Sequence, residues 1–401
     1  MKIQIHSGQN QIGGSIIEIS TDNTKVIFDA GVNLDESDED EIEVPQIDGL
    51  FCGEALYDAV FVSHYHGDHV GLLPYVLEEI PIYMGRQAAN IVKAASEYRG
   101  KNIEYYYRCF EDGQELQIGE LSVTPIMCDH SAYDSFMFLI EADDKKILYS
   151  GDFRSNGRME FANLLKRISM VDVLVIEGTT LTRETYMENI QEELLEDIAE
   201  DVLNRYSGPA FLMTSAMNVE RIITGYNASR AANRIFLEDL YTAGIMSAID
   251  GNVPVPEKEN GIRVFMTGGD RQYELIQRYP DSKFAKAAIA KEKFLMCIRP
   301  SMKNYLKKLN EICPFNDGVL FYGMWKGYLE REDMQEFIAF MENIGVKIHI
   351  LHTSGHADVN AINALVEVAR PKYIIPVHTE NPDWYTKYDV KIILDDKELH
   401  I

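Results

Sequence analysis

The stretch Ser63-His64-Tyr65-His66-Gly67-Asp68-His69 decides how this chain is read. It follows Ala59-Val60-Phe61-Val62, a short apolar run that reads as a buried strand. Four metal-binding side chains therefore stand together just past a strand end. His64 and His66 alternate and can reach one point. Asp68 and His69 come after Gly67 bends the chain, so they can face a neighbouring point. Imidazole and carboxylate donors suit zinc, and also manganese or iron. A structural zinc site closes with four ligands, whereas this spacing fits two adjacent ions sharing a water. The bland reading is a histidine-rich surface loop, and it leaves the position after a buried strand unexplained.

Further candidates lie outward from that segment. His130 follows the strand-like run Leu121–Met127, Asp152 follows Lys146–Tyr149, and His378 follows Tyr373–Pro376. Loops at one edge of a sheet converge, which makes strand ends the natural place for a composite site. A carboxylate between two ions can bridge them, and Asp152 is the natural candidate.

The whole chain fits this picture. Its 401 residues are 46% hydrophobic and 25% charged, as in a folded globular protein. That length predicts two or three domains, or one domain with a large insertion. Cys52, Cys109, Cys128, Cys297 and Cys313 are scattered and odd in number, which disfavours a disulfide framework or a zinc finger. Met1–His6 opens directly as an alternating strand, so no signal peptide is expected. No apolar run approaches the roughly 18 residues that span a bilayer. The expected compartment is the reducing cytoplasm, with no membrane partner.

The net charge of −26 disfavours sequence-independent nucleic-acid binding by the chain as a whole. The charge is uneven, however. Residues 203–345 carry 18 basic and 17 acidic side chains. Within Lys258–Lys308 there are 12 basic and five acidic residues, a local surplus that suits a polyanion-facing surface. The run Asp35–Glu43 holds seven acids in nine residues and reads as an exposed loop.

The first 150 residues read mostly as strands punctuated by turns, with a helix at Arg86–Arg99. An acidic amphipathic helix is expected at Glu184–Tyr206, with Ile190, Leu194, Ile198 and Val202 on its apolar face. From about Gly208 strands and helices alternate, which predicts a parallel α/β unit. The fold class is α/β, with a first domain over 1–203, an inserted domain over 204–345, and a return to the first domain over 346–401.

These residues resemble the metallo-β-lactamase superfamily. The likeness rests on Asp29 in Ile27-Phe28-Asp29-Ala30-Gly31, the His-x-His-x-Asp-His segment, His130 and Asp152. More narrowly the chain is similar to the β-CASP nucleases, which interrupt an αββα sandwich with an inserted α/β cap. Their additional motifs match Glu177 in Val175–Thr180, His356 in Thr353–Ala357, and His378. A histidine in the last of these implies RNA as substrate. Ser354–Ala357 and Ile375–Glu380 look most like RNase J. Two departures stand out. The family's serine-rich segment late in the cap, which helps recognise the RNA 5′ end, is replaced by Phe321–Tyr328. The family's C-terminal assembly domain is not expected, because the sequence reaches Ile401 soon after the scaffold's last strands.

The resemblance implies metal-dependent phosphodiester hydrolysis of single-stranded RNA, endo- or exonucleolytic, by a hydroxide activated between two divalent ions, zinc or manganese. His64, His66 and His130 would hold one ion, and Asp68, His69 and His378 the other, with Asp152 bridging. Asp68, Asp152, Glu177 and His356 are the expected catalytic residues. His356 would meet the scissile phosphate or protonate the leaving oxygen, oriented by Glu177. Ser131, Lys303, Lys307 and Lys308 are expected to touch substrate. Trp325, Tyr322 and Tyr328 either stack bases or pack in the cap. The sequence leaves the oligomeric state open, with a homodimer as one option. Rival readings are a small-molecule metallohydrolase of thioesterase or lactonase type, and an inactive RNA-binding member.

Overall fold

The structure is a computed structural model and describes residues 1–33, 42–101, 107–182, 189–257, 260–394 and 398–401. Most of the acidic run from Asp35, the start of the helix expected from Glu184, and Lys258 lie outside the described residues. Two compact units emerge. One comprises residues 1–92, 103–189 and 355–401, the other residues 93–102 and 190–354.

The first unit is built on two sheets. One runs in the order Glu398–His400, Lys2–Ser7, Ile16–Ser20, Lys25–Phe28, Ala59–Phe61, Ile82–Gly85, Tyr107–Phe110. The other runs Lys391–Ile392, Tyr373–Pro376, Val173–Ile176, Lys145–Tyr149, Ser135–Ala142, Leu121–Cys128, Leu116–Ile118. Alternation along Lys2–Ser7 sends Ile3 and Ile5 inward, where they share a core with Phe28, Phe61, Phe138, Tyr149 and Val175 from both sheets. Phe28 and Phe61 lie 5.3 and 5.6 Å from Phe138, centroid to centroid. Each buried large side chain contributes about 1.5–3 kcal/mol.

The other face of the second sheet presents Leu148, Leu174 and Ile374 to helices Phe161–Leu165 and Val359–Ala369. The latter forms because Ile362, Leu365, Val366 and Ala369 recur at helical spacing. It starts at Asp358, whose carboxylate accepts from Ala361 N at 2.9 Å. The result is the helix-covered β-sandwich that the family resemblance implies.

The second unit holds a six-stranded parallel sheet in the order Ile262–Phe265, Ile235–Asp239, Phe294–Ile298, Ala210–Met213, Gly318–Tyr322, Val346–Ile350. Phe294–Ile298 is buried throughout. A strand covered on both faces shows no alternation, so periodicity alone does not reveal it.

The expected boundaries at 203/204 and 345/346 fall inside this unit, whose ends are Ile190 and Ser354. The helix Glu192–Arg205 goes with the inserted unit for a specific reason. Glu192 is fully buried and accepts from Arg221 Nε at 2.7 Å, Arg221 Nη2 at 3.1 Å and Thr224 Oγ1 at 3.0 Å. The buried face is therefore Glu192, Leu195, Ala199, Val202 and Leu203. Ile190, Leu194 and Ile198, expected inward, are exposed.

Candidate metal centre

Six strands of the first unit deliver functional side chains at their C-terminal ends. Phe28 leads to Asp29, Phe61 to Ser63–His69, Cys128 to His130, Tyr149 to Asp152, Ile176 to Glu177, and Pro376 to His378. Parallel register holds these ends level, for example Phe28 beside Phe61 and Ile176 beside Pro376.

The turn Gly67–Val70 is a single helical turn that carries Asp68 and His69. It is fastened to the loop after Phe28. Ala30 N donates to His69 O at 2.8 Å, Val32 N to Gly67 O at 3.2 Å, and Ser15 N to Asp68 O at 3.1 Å. Gly31 permits the approach, since a Cβ there would fall 1.6 Å from Asp68 O.

Two groups of three side chains bring ligand atoms within 4.8 Å of one another: His64, His66 and His130, and Asp68, His69 and His378. Asp152 Oδ2 reaches both. It lies 3.8 Å from His64 Nε2, 3.9 Å from His130 Nε2, 3.4 Å from His69 Nε2 and 3.7 Å from His378 Nε2. His66 Nδ1 stands 3.1 Å from His130 Nε2, and His378 Nε2 stands 3.0 Å from Asp68 Oδ2. Asp152, Glu177, His356 and His378 also form a group. His356 Nδ1 is hydrogen-bonded to Glu177 Oε2 at 3.2 Å.

The outer nitrogens explain how the rings are aimed. His69 Nδ1 donates to Asp29 Oδ2 at 2.8 Å, His64 Nδ1 to Ser63 Oγ at 3.1 Å, and His378 Nδ1 to Thr179 Oγ1 at 2.7 Å. His130 Nδ1 donates to Gly355 O. A proton on Nδ1 leaves the Nε2 lone pair of these four rings facing inward, the tautomer a metal needs. Asp29, fully buried, also accepts from Ser63 N and Oγ, each at 2.7 Å, and from Tyr149 OH at 2.6 Å.

Whether these residues fit a metal is answered by their unsatisfied atoms. His64 Nε2, His69 Nε2 and Asp152 Oδ1 are buried without a hydrogen-bond partner among the described residues. Buried polar atoms are normally paired, so three inward-facing orphans define a cation-shaped need. Burial pushes the His64 and His130 pKa values well down, helped by neighbouring histidines, and holds His66 at about 4. These rings are therefore neutral, the state in which an imidazole can accept a metal. Burial acts the same way on His69 and His356, but carboxylates outweigh it. Asp152, Asp29 and Asp68 raise His69, and Glu177 and Asp152 lift His356 to about 9. Cations at the two groups would counter that pull.

The comparisons agree with the geometry. Residues 24–216 match a beta-lactamase superfamily domain, and residues 331–385 match a Zn-dependent metallo-hydrolase RNA specificity domain. The chain thus carries a metallo-β-lactamase superfamily domain together with an RNA specificity domain. It is similar to a Ribonuclease J from Mycoplasma genitalium, 24% identical over 404 residues, covering 94% of this chain and 68% of that one. It is also similar to an RNase J-like protein from Methanocaldococcus jannaschii, 26% identical over 410 residues, covering 94% and 92%. A crystal structure of a protein of unknown function from Enterococcus faecalis superposes with a TM-score of 0.83 at 19% identity, over 100% of this chain and 99% of the other. That likeness concerns the fold alone.

The structure brings all seven metal-ligand candidates together, with Glu177 and His356 beside them. Glu177 does more than orient one ring. Its Oε1 accepts from Phe153 N at 3.0 Å and Ala357 N at 3.3 Å, and its Oε2 from Thr179 N at 3.3 Å. It thereby fastens the Asp152 loop to the His356 loop. Ser131 Oγ lies 3.4 Å from His130 Nε2.

Lys303, Lys307 and Lys308 share the helix Lys303–Asn310 in the second unit. Lys303 pairs with Glu336 at 3.5 Å, and Lys303 and Lys307 lie over the Phe340 ring. Tyr322 is core, whereas Trp325 and Tyr328 are exposed.

Sequence reasoning gave no role to Asp29, Ser63, Thr179 or Tyr149. The one available signal is Asp29 after a buried strand. Its φ of 61° and the φ of 50° at His378 are left-handed conformations that only the structure reveals.

Proposed function

We propose that the protein hydrolyses phosphodiester bonds in single-stranded RNA, using divalent ions held by His64, His66 and His130 and by Asp68, His69 and His378, with Asp152 shared. The observation that carries this reading is the position of Asp152 Oδ2, within 3.9 Å of ligand nitrogens from both groups. RNA as substrate draws on the names of the similar ribonucleases and on the RNA specificity domain that residues 331–385 match. Zinc is the favoured ion for so imidazole-rich a donor set, with manganese the competitor.

When bound, such ions supply Lewis acidity, neutralising phosphoryl charge and lowering the pKa of a water. The chain supplies the rest. Ser63, Asp29, Thr179 and Gly355 hold the ligand rings in one tautomer and one direction, so no reorganisation accompanies the reaction. Glu177 fixes His356 through Nδ1, which directs the other edge of the ring away from Glu177. His356 then holds a proton at Nε2 for the leaving oxygen. Ser131, Lys303, Lys307 and Lys308 are the proposed phosphate contacts.

The test is metal analysis of the purified protein, followed by turnover of single-stranded RNA with Asp152→Ala as control. We expect bound divalent metal, RNA cleavage, and loss of both in the variant. Turnover of thioesters or lactones with none of RNA would replace this reading by that of a small-molecule hydrolase.

A further inference from the structure

The loop after the strand Gly318–Tyr322 has an unusual division of labour. Met324 and Leu329 pack against the core of the second unit. Between them Trp325 and Tyr328 stand out, 56% and 38% exposed, with their rings edge to face at 5.6 Å between centroids. Burying an aromatic ring is among the larger single gains open to a fold. Here the anchoring is done by neighbours, and the two largest rings are left in solvent.

Their geometry is fixed. Tyr322 OH donates to Trp325 O at 3.1 Å, and Tyr328 N donates to the same oxygen at 3.2 Å. The Trp325 ring lies on Gly327, where a Cβ would meet the indole at 2.2 Å. Gly323 N donates to Met213 O at 2.9 Å, and His352 Nδ1 donates to Gly323 O at 3.3 Å. The loop is thus seated at the carboxyl ends of parallel strands, the edge where open α/β sheets take their ligands. Lys326, between the rings in sequence, is exposed.

We propose that Trp325 and Tyr328 form a stacking platform for a nucleobase of single-stranded RNA, with Lys326 on the adjoining phosphate. This rests on the ribonuclease reading above. Every base has a π-face, so such a platform holds a strand without reading its sequence. It adds an uncharged source of affinity to a chain whose net charge of −26 repels a polyanion.

The chain has two tryptophans, so Trp384→Phe leaves Trp325 as the sole indole reporter. Metal-loaded protein of this variant is titrated with a phosphorothioate-linked single-stranded RNA octamer, and with the same backbone made abasic. Quenching of the indole by the octamer and not by the abasic strand is expected. In the otherwise native chain, Trp325→Ala should weaken octamer binding about 5- to 100-fold with metal content unchanged, and Trp325→Phe should restore most of it.

Equal quenching by the abasic strand overturns the platform, as does native affinity in a folded Trp325→Ala variant. A change of oligomeric state in that variant, with RNA affinity intact, also overturns it and makes the pair a self-association contact. If the native protein cleaves RNA while any of these occurs, only the platform falls. If it neither binds nor cleaves RNA, the ribonuclease reading falls and takes the platform with it.

Discussion

In the proposed mechanism His356 separates phosphate chemistry from metal binding. Its ring sits 3.5 Å from Asp152 Oδ2 and 3.2 Å from Glu177 Oε2, yet its Nδ1 is committed to Glu177. His356→Ala is therefore expected to keep its metal and lose turnover by about 10²–10⁴-fold, the usual range for a general acid or base. Metal analysis alongside single-turnover kinetics checks this, and a missing ion in the variant would place His356 among the ligands instead. At this scale the candidate ligands were legible as a group, because His64, His66, Asp68 and His69 are neighbours in sequence. The groups that aim them were not. Ser63 and Tyr149 are ordinary strand-end residues until the fold brings both onto Asp29. A hydroxyl's partner across 120 residues leaves no local pattern.

Elements were legible where burial is one-sided and misread where a polar group is drawn inside. The helix Glu192–Arg205 shows why. Its apolar residues support two phasings, and the one containing Glu192 prevails because Arg221 waits in the core. Arg221 also donates through Nη1 to Gly323 O at 3.2 Å and to Leu351 O at 2.5 Å, tying two strand ends to the helix. Arg221→Ala removes the charge partner of the buried Glu192 carboxylate and one donor each from Gly323 O and Leu351 O. A loss of about 3–5 kcal/mol is expected, read by urea unfolding, whereas a near-native midpoint would mean that water replaces the guanidinium.

The strand Ile16–Ser20 carries a milder case. Glu18 is buried and pairs with His6 Nε2 at 3.0 Å, Tyr57 OH at 2.9 Å and Ser20 Oγ at 3.1 Å. Burial works to raise its pKa, but His6 and Tyr57 outweigh it and hold the group at about 2, below the ordinary 4.5. A depressed carboxylate stabilises the fold above its unfolded pKa, and that contribution fades as pH falls through the folded one. The stability gap between the native chain and Glu18→Gln should thus be full at neutral pH and narrow between about pH 4.5 and 2. Unfolding free energies at several pH values decide it. A gap constant with pH would show that Glu18 acts by shape alone.

At the scale of the molecule, the first unit accepts local instability at the site. Asp29, Asp68, Asp152 and Glu177 are buried close together, and His64 Nε2, His69 Nε2 and Asp152 Oδ1 have no hydrogen-bond partner among the described residues. Like charges and orphaned polar atoms both disfavour the folded state until a cation joins them. A ligand that binds only the folded chain stabilises it by about 4 kcal/mol at a thousand times its Kd. For a unit of this size that corresponds to a rise of roughly 10 °C in melting temperature. Stripping the metal with a chelator should lower the melting temperature by that order, and restoring zinc should recover it. The Asp152→Ala variant tells whether the effect belongs to this site: its melting should respond far less to zinc, because the carboxylate shared by both groups is gone. If stripped and loaded native protein melt together, with metal removal confirmed by analysis, the orphaned atoms are satisfied in some other way and the two-group centre is not what holds this edge of the sandwich in place.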